Sequence, residues 1–222
     1  MSGITSDGAG EVAGEGVSER LALLDYRRQV AAMYAAVRRE EVAIEERWTQ
    51  LRAQREGLFR DHPLLPLPPD RRAQAQLPFF DYDPQWRVTA QVAATAPVAH
   101  TLQLRDDGDV RLTRLGVAQF EVVGRRLRLP LQWVGGYGGG LLLSFRDGTS
   151  GRETYGGGRY LLDTIKGADL GGADLGGGER TLVLDFNFAY NPSCAYDPRW
   201  HCPLPDRDSW LDVEGRAGER MM

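Results

Sequence analysis

Two segments of the chain hold more polar, aromatic and glycine residues than strand formation requires. The first, residues 145–160, contains Asp147, Glu153 and Arg159, and the second, residues 184–196 with 200–205, contains a carboxylate, two amides and both cysteines. Carboxylates, amides and a guanidinium orient small molecules by hydrogen bonding, and two carboxylates can act as general acid and base. The candidate ligand-binding residues are Asp147, Glu153, Tyr155, Arg159, Asp185, Asn187, Tyr190 and Asn191, with Tyr196 as a further aromatic contact surface.

The first segment allows two interpretations. The alternation of a strand would place Glu153 and Tyr155 on one face, and Gly156–Gly158 would permit a bulge or a close backbone approach. In one interpretation Asp147, Glu153 and Arg159 line a pocket. In the other, Asp147 starts a turn, while Glu153 and Arg159 form a buried ion pair that stiffens the sheet.

The second segment places two polar residues two positions apart. In a strand, Asp185 and Asn187 would therefore lie on the same face, where they would hold a ligand or satisfy backbone groups of the Asn191-Pro192 turn. A third possibility is an acid–base pair between Asp185 and Glu153, which requires the fold to bring the two carboxylates within several ångströms. The sequence does not fix that distance.

Cys194 and Cys202 are the only cysteines in the chain. Their spacing is not that of two paired metal-binding knuckles, and the adjacent His201 and Cys202 are poorly placed to bind one tetrahedral ion, so no metal site is predicted. Structural thiols, a thiol pair, and a redox or nucleophilic role remain as alternatives. The sequence contains no Gly-x-Ser-x-Gly elbow, which disfavours a serine hydrolase.

The elements that must position these residues are predicted from hydrophobic periodicity. From Trp86 onward, apolar and polar residues alternate in many short runs separated by turns such as Val123-Gly124. This pattern predicts a mainly β fold, an antiparallel β-sandwich or barrel over residues 62–222. Within residues 167–178, Gly-Ala-Asp-Leu-Gly occurs twice, which is too few copies for a solenoid and predicts a Gly-rich loop.

The residues before the strands predict a helix and a connector. Apolar residues at seven-residue steps predict an amphipathic N-terminal helical segment over residues 18–61, broken near Glu40, that either packs on its own domain or serves as a coiled-coil partner. Residues 1–17 predict a disordered tail. Six prolines in residues 62–86 predict an extended strap across the core or, alternatively, a proline-rich ligand. The seven-residue series is Leu23, Val30, Val37, Ile44 and Leu51.

Composition excludes several classes of function. The 222 residues carry a formal net charge of −4, so there is no basic surplus to neutralise phosphates and no nucleic-acid partner is predicted. No apolar run approaches the roughly 20 residues that a membrane helix needs, and the start of the chain lacks the features of a secretory signal. We therefore expect a soluble cytoplasmic protein with no membrane partner. The cofactor and the oligomeric state are not predicted by the sequence.

Several longer motifs carry a resemblance to a known family. They are Asp147–Tyr160, Leu184–Asn187, Ala189–Pro192, Cys194–Tyr196, Cys202–Pro205 and Ala217–Glu219, with Tyr26–Arg28, Trp48, Leu58-Phe59 and His62–Leu64 upstream. Together they resemble the prokaryotic family called domain of unknown function 1684. No activity is attached to that family, so the resemblance implies a shared fold and pocket but no reaction or cofactor. One departure is Ser209, where the family pattern usually places asparagine.

Three functions are compatible with these residues. The first is a binding protein for a small polar molecule, which we favour because the unusual residues are orienting groups without an obvious nucleophile and base together. The second is a hydrolase or metal-assisted enzyme that uses Glu153 or Asp185 as general base, with Cys194 or a metal as helper. The third is a scaffold that binds a protein partner through its N-terminal helix.

Overall fold

The computed structural model describes residues 7–73, 75–104, 108–172 and 180–222, with side chains from residue 16 onward except that of Pro69. The helices are α1 (Asp7–Val37), α2 (Ile44–Asp61) and the single turn α3 (Pro69–Arg72). The predicted helical segment at 18–61 is thus two helices, interrupted at 38–43 near the expected position. Because α1 begins at Asp7, the described part of the predicted disordered tail is helical; residues 1–6 lie outside the description. No described helix has the length and apolarity that a membrane span requires.

Six strands form one antiparallel sheet in the order β5-β4-β3-β2-β1-β6. The predicted mainly β, antiparallel fold with an N-terminal helix is confirmed, as a curled half-barrel sheet. The finer choice of a sandwich or a barrel is not confirmed. Of the predicted Gly-rich loop at 167–178, residues 173–178 lie outside the described part of the chain. The strands are β1 (Arg87–Leu104), β2 (Gly108–Val122), β3 (Arg125–Val134), β4 (Gly140–Phe145), β5 (Arg159–Asp163) and β6 (Thr181–Asp185).

The hairpin between β2 and β3 turns at the predicted dipeptide. Val122 pairs with Arg125, so the loop has two residues, Val123 at φ 45° and Gly124 at φ 73°. Positive φ at both positions is the requirement of the turn type whose twist matches that of the flanking strands. Other short runs that the sequence pattern separates are joined into single long strands in the structure. In β1 the junction is a register shift between Ala94 and Val98 and not a turn.

The helices and the sheet share one hydrophobic core. Val30, Val37 and Leu51 of the seven-residue series are buried in it, whereas Leu23 is largely exposed. The helical segment therefore packs on its own protein. The connector from residue 62 to 86 also contributes buried leucines, but it contains α3 and a 3-10 turn at Pro84–Trp86, so the prediction of a uniformly extended strap is not confirmed.

The C-terminal segment, residues 215–220, is built into the core. The backbone N–H of Glu219 donates to the carbonyl oxygen of Ala189 at 2.8 Å, and the Glu219 side chain is fully buried. Gly218 has φ 83°, and a Cβ there would lie 2.6 Å from the carbonyl oxygen of Phe186. Only glycine fits this close passage, which keeps the segment in register beside the residues that follow β6.

Candidate functional site

Arg159, the first residue of β5, forms a buried ion pair with Asp147. Its Nη2 lies 2.6 Å from Asp147 Oδ2, and the two side chains are 2% and 0% exposed. Arg159 also donates to the carbonyl oxygens of Gly215, at 3.0 Å, and Ala217. Burial lowers the pKa of Arg159, and the Asp147 carboxylate opposes that shift. These contacts connect the sheet edge to the C-terminal segment.

Asp147 starts a turn, as one interpretation of the sequence proposed. Its Oδ1 accepts hydrogen bonds from the backbone N–H of Thr149 at 2.7 Å and from Thr149 Oγ1 at 2.5 Å. The predicted pair between Glu153 and Arg159 is wrong, because Glu153 pairs with Arg216 at 2.9 Å near the surface. The physical reason is local: residues 151–153 form a turn and not a strand, so strand alternation does not apply to Glu153.

Asp185 and Asn187 form a second buried network. Asp185 Oδ1 accepts from the backbone N–H of Asn187 at 3.1 Å and from its Nδ2 at 2.8 Å. Asp185 Oδ2 accepts from Tyr82 Oη and Arg87 Nη1, both at 3.2 Å. Burial raises the pKa of Asp185, and the hydrogen bonds from Asn187 and Arg87 partly offset that effect.

The prediction that these two residues share a strand face is wrong. β6 ends at Asp185, and Phe186–Phe188 form a 3-10 turn that Asp185 caps. The alternative, that the pair satisfies backbone groups of the Asn191-Pro192 turn, names the wrong segment. The Asn187 side chain instead accepts from the N–H of Asp83 at 2.9 Å and donates to its carbonyl oxygen at 2.8 Å. The network therefore attaches the end of β6 to the residues that lead into β1.

Changing Tyr82 to phenylalanine tests this network. The variant removes one hydrogen bond to the buried Asp185 carboxylate, so we expect the free energy of unfolding to fall by about 1–2 kcal/mol. Urea denaturation followed by circular dichroism measures the change. Tyr137→Phe, at a fully exposed tyrosine, is the matched control, and an equal loss in both variants would contradict the assignment.

Tyr190, Asn191 and Tyr196 converge on an ion pair between α2 and the C-terminal segment. Arg55 Nη2 lies 3.1 Å from Glu219 Oε2, which also accepts from the backbone N–H of Asn191 at 3.0 Å. The Tyr196 hydroxyl donates to Glu219 Oε1, and Arg55 stacks 4.9 Å from the Tyr190 ring centre. Burial by itself would lower the pKa of Arg55, but Glu219 and the tyrosines raise it above its usual value. Sequence reasoning did not identify Arg55.

The two cysteines are free thiols in contact with each other. The backbone N–H of Cys194 donates to Cys202 Sγ at 3.4 Å, and Tyr155 Oη donates to Cys194 Sγ at 3.7 Å. Among the predicted ligand-binding residues, Tyr155 thus donates its hydroxyl hydrogen bond to a thiol. Among the described residues, no cluster of three or more His, Cys, Asp and Glu side chains could hold a metal ion.

The contact between the two cysteines shifts the pKa values of their thiols in opposite directions. The hydrogen bond from the Cys194 thiol, followed by its backbone N–H and the charge of Lys166, lowers the pKa of Cys202 to about 6 against the effect of burial. The same contact with Cys202, together with burial, raises the pKa of Cys194. Of the two thiols, Cys202 is therefore the one that ionises more readily, and Cys194 the one that retains its proton.

Cys202 lines a cavity of about 320 Å³ that is mostly apolar. The cavity lies between the helical side of the protein and the sheet. Its walls come from α1, the connector after α2, strands β2–β5 with the turn that follows β5, Ser193 and residues 200–203. Lys166 and Asp163 line it as well, with Lys166 Nζ 3.5 Å from Asp163 Oδ2. Other wall residues include Leu23, Tyr26, Leu65, Leu142, Tyr160 and Trp200. Of the predicted site residues, Cys202 is the one in this wall.

A larger groove, about 590 Å³, separates α1 from α2. It is more open than the Cys202 cavity, and its wall includes Asp25, Asp61 and His62. No residue of the two chemistry-bearing segments lines it, so the Cys202 cavity is the candidate functional site.

These features define a mainly antiparallel β protein whose half-barrel sheet carries an N-terminal helix pair, buried ion pairs and a thiol-lined cavity. The chain belongs to the family described as Protein of unknown function (DUF1684), whose model matches residues 73–220. The resemblance inferred from the sequence motifs is confirmed, although the match begins after α1 and α2.

A solved structure supports the same assignment. The chain is similar to an uncharacterised protein of Haloarcula marismortui, determined by solution NMR, with 33% sequence identity and a TM-score of 0.60. The similarity covers 79% of this chain and 93% of that one. No curated protein matches the chain.

Proposed function

We propose that the protein is a cytoplasmic binding protein for a small molecule that occupies the Cys202 cavity. The observation that carries the proposal is a largely apolar cavity of about 320 Å³ whose wall includes a few polar side chains, Lys166, Asp163 and Cys202. Ligand sites have this composition, in which apolar walls provide affinity and a few polar groups fix orientation. Two free thiols support a reducing compartment such as the cytoplasm.

The residues that line the cavity favour a ligand with an apolar body and an anionic group over a wholly polar molecule. Lys166 supplies the positive charge. Burial alone would lower its pKa, but the Asp163 carboxylate raises the pKa above its usual value, so the ammonium group is charged at neutral pH. The Lys166 ammonium group has several N–H donors, so its contact with Asp163 leaves others to donate to a ligand carboxylate or sulfonate.

The hydrolase alternative has weaker support. Glu153 pairs with Arg216 and Asp185 pairs with Arg87, so separate arginines hold the two carboxylates that would have to act as acid and base. The scaffold alternative is weakened for α2 and for the second half of α1, whose apolar residues pack in the core of the same protein, while Val17, Leu21 and Leu24 of α1 are exposed. We therefore retain the binding function as the proposal.

The dye 1-anilinonaphthalene-8-sulfonate tests the proposal, because it combines an aromatic body with a sulfonate. Val134→Trp fills the cavity and Lys166→Met removes its cation, so we expect each change to weaken dye binding about tenfold. Fluorescence titration gives the dissociation constants. Val98→Trp, at an exposed position of β1, is the matched control for the first change and should bind like the parent.

A cooperative urea transition in each variant is the check on folding. Failure of the parent to bind the dye, or identical affinities for Val134→Trp, Lys166→Met and the parent, would overturn the proposed site. Retained binding in the control, with loss in both cavity variants, would support it.

A further inference from the structure

The positions of Cys194 and Cys202 allow a chemical role in addition to a packing role. Cys202 Sγ accepts a hydrogen bond from the backbone N–H of Cys194 at 3.4 Å, so the two residues are in direct contact. A disulfide between them requires the two Cβ atoms to approach to about 3.5–4.5 Å, and this contact already places the Cys202 sulfur beside the main chain of Cys194. Because the chain has no other cysteine, an intramolecular disulfide can join only these two.

The two thiols differ in surroundings and in partners, although both residues are partly exposed. Cys202 is in the wall of the cavity, where a small reagent can reach it. Cys194 lies in the 3-10 turn Ser193–Ala195, and its sulfur accepts the hydrogen bond of Tyr155 Oη. Of the two cysteines, Cys202 is thus the one that a molecule in the cavity would meet.

We propose that this pair is an oxidation site, in which Cys202 attacks a hydroperoxide and Cys194 resolves the product to a disulfide. The contact of Cys202 Sγ with the backbone N–H of Cys194, the cavity beside Cys202 and the separate partner of Cys194 carry this proposal. It does not depend on the binding of a ligand in the cavity.

The chemistry requires a hydroperoxide such as hydrogen peroxide as oxidant. The Cys202 thiolate attacks one peroxide oxygen, the O–O bond breaks, and the leaving hydroxide is protonated by solvent to give water and Cys202 sulfenic acid. Cys194 then attacks the sulfenic sulfur. The S–S bond forms, the S–OH bond breaks, and the hydroxide leaves as water with the Cys194 proton. Two thiols lose two electrons, and one peroxide is reduced to two waters.

The charged and titratable groups that face Cys202 set the pH range of the first step. They come from α1, from the sheet and from the loops packed against it: Tyr26, Tyr155, Tyr160, Asp163, Lys166, Cys194 and His201. The positive charge of Lys166 and the hydrogen bonds donated by Cys194 favour the thiolate form of Cys202, and its pKa is accordingly lowered to about 6. A thiolate is the reactive form, so the rate of reaction should fall as the pH is lowered through about 6.

Intact-mass spectrometry of the full chain is the primary test. After one equivalent of hydrogen peroxide, we expect a mass decrease of about 2 Da, from loss of two hydrogens, which a reductant reverses. Cys194→Ser should stop at the sulfenic acid, which dimedone captures. Cys202→Ser should neither lose mass nor react with dimedone at a comparable rate. Dimedone capture mainly in Cys202→Ser, or no mass decrease in the parent, would overturn the proposal.

Alkylation rates distinguish a poised thiolate from an ordinary buried thiol. Monobromobimane should label the folded parent with a midpoint near pH 6 and the urea-unfolded chain with a midpoint near the ordinary thiol value of about 8.5. Lys166→Met should raise the midpoint of the folded protein, whereas Lys166→Arg, which keeps the charge, should restore it. The same midpoint in the folded and unfolded chains would show that the thiols have no special reactivity and would contradict the proposal.

Discussion

Replacing Arg159 with methionine is expected to lower the free energy of unfolding by about 3–5 kcal/mol, the usual effect of breaking a buried ion pair. The change leaves the fully buried Asp147 carboxylate without its cation and removes the donors to Gly215 and Ala217. Urea denaturation measures the loss. Arg125→Met is the matched control, because Arg125 pairs with Asp212 on the surface, where the side chains are 54% and 95% exposed, and its stability should not change measurably.

A double variant separates the charge effect from the packing effect. In Asp147→Asn with Arg159→Met, no uncompensated charge remains, so the double variant should be more stable than the sum of the two single losses predicts. Strict additivity of the two changes would show that Arg159 acts through its backbone contacts and its packing on Phe145, 5.0 Å away, and not through the ion pair.

The second large effect is expected for Glu219→Gln. Glu219 is fully buried and receives the Arg55 guanidinium, the Asn191 N–H and the Tyr196 hydroxyl. The amide keeps the shape but removes the charge, so Arg55 stays buried without an anion, and the free energy of unfolding should fall by about 3 kcal/mol. Differential scanning calorimetry provides an independent measurement as a lowered Tm.

Glu121→Gln is the matched control for this change. Glu121 faces Arg126 at 3.9 Å, and both side chains are mostly exposed, so the substitution should leave the Tm unchanged. A similar Tm for Glu219→Gln and the parent would show that the Arg55–Glu219 pair does not hold α2 to the C-terminal segment.

The local features of the fold could be predicted from the sequence because their causes are local. Alternating residues predicted antiparallel strands, and Val123-Gly124 predicted a two-residue hairpin turn that the structure contains. The break between α1 and α2 falls close to Glu40, where the apolar spacing was interrupted. The glycines and charges of residues 7–17 resemble those of a disordered tail, whereas the structure continues α1 through them.

The partners of the polar residues could not be predicted in the same way. Periodicity assigns a residue to a face but does not say which distant side chain meets it, and Arg55 and Glu219 are 164 positions apart. The Asp185–Asn187 pair was recognised as unusual, but its contacts to Asp83 and Arg87 depend on where β6 ends. Sequence reasoning thus found polar residues that the structure uses, without finding what they contact.

The cavity illustrates a further limit. Its wall brings together α1, the connector and the loops after β5 and β6, segments that no motif links. Cys202 was recognised from its residue type, whereas Lys166, as the only lysine of the chain, gave no spacing pattern. A cavity depends on packing between elements, so its lining follows only from the tertiary structure.

The buried position of Glu219 constrains how the protein folds during synthesis. Arg55 and its anion are 164 positions apart, so α2 is synthesised well before the carboxylate that neutralises its guanidinium. A chain that ends before Glu219 can bury Arg55 only without its anion. Such a chain should therefore be more sensitive to protease than the 222-residue chain.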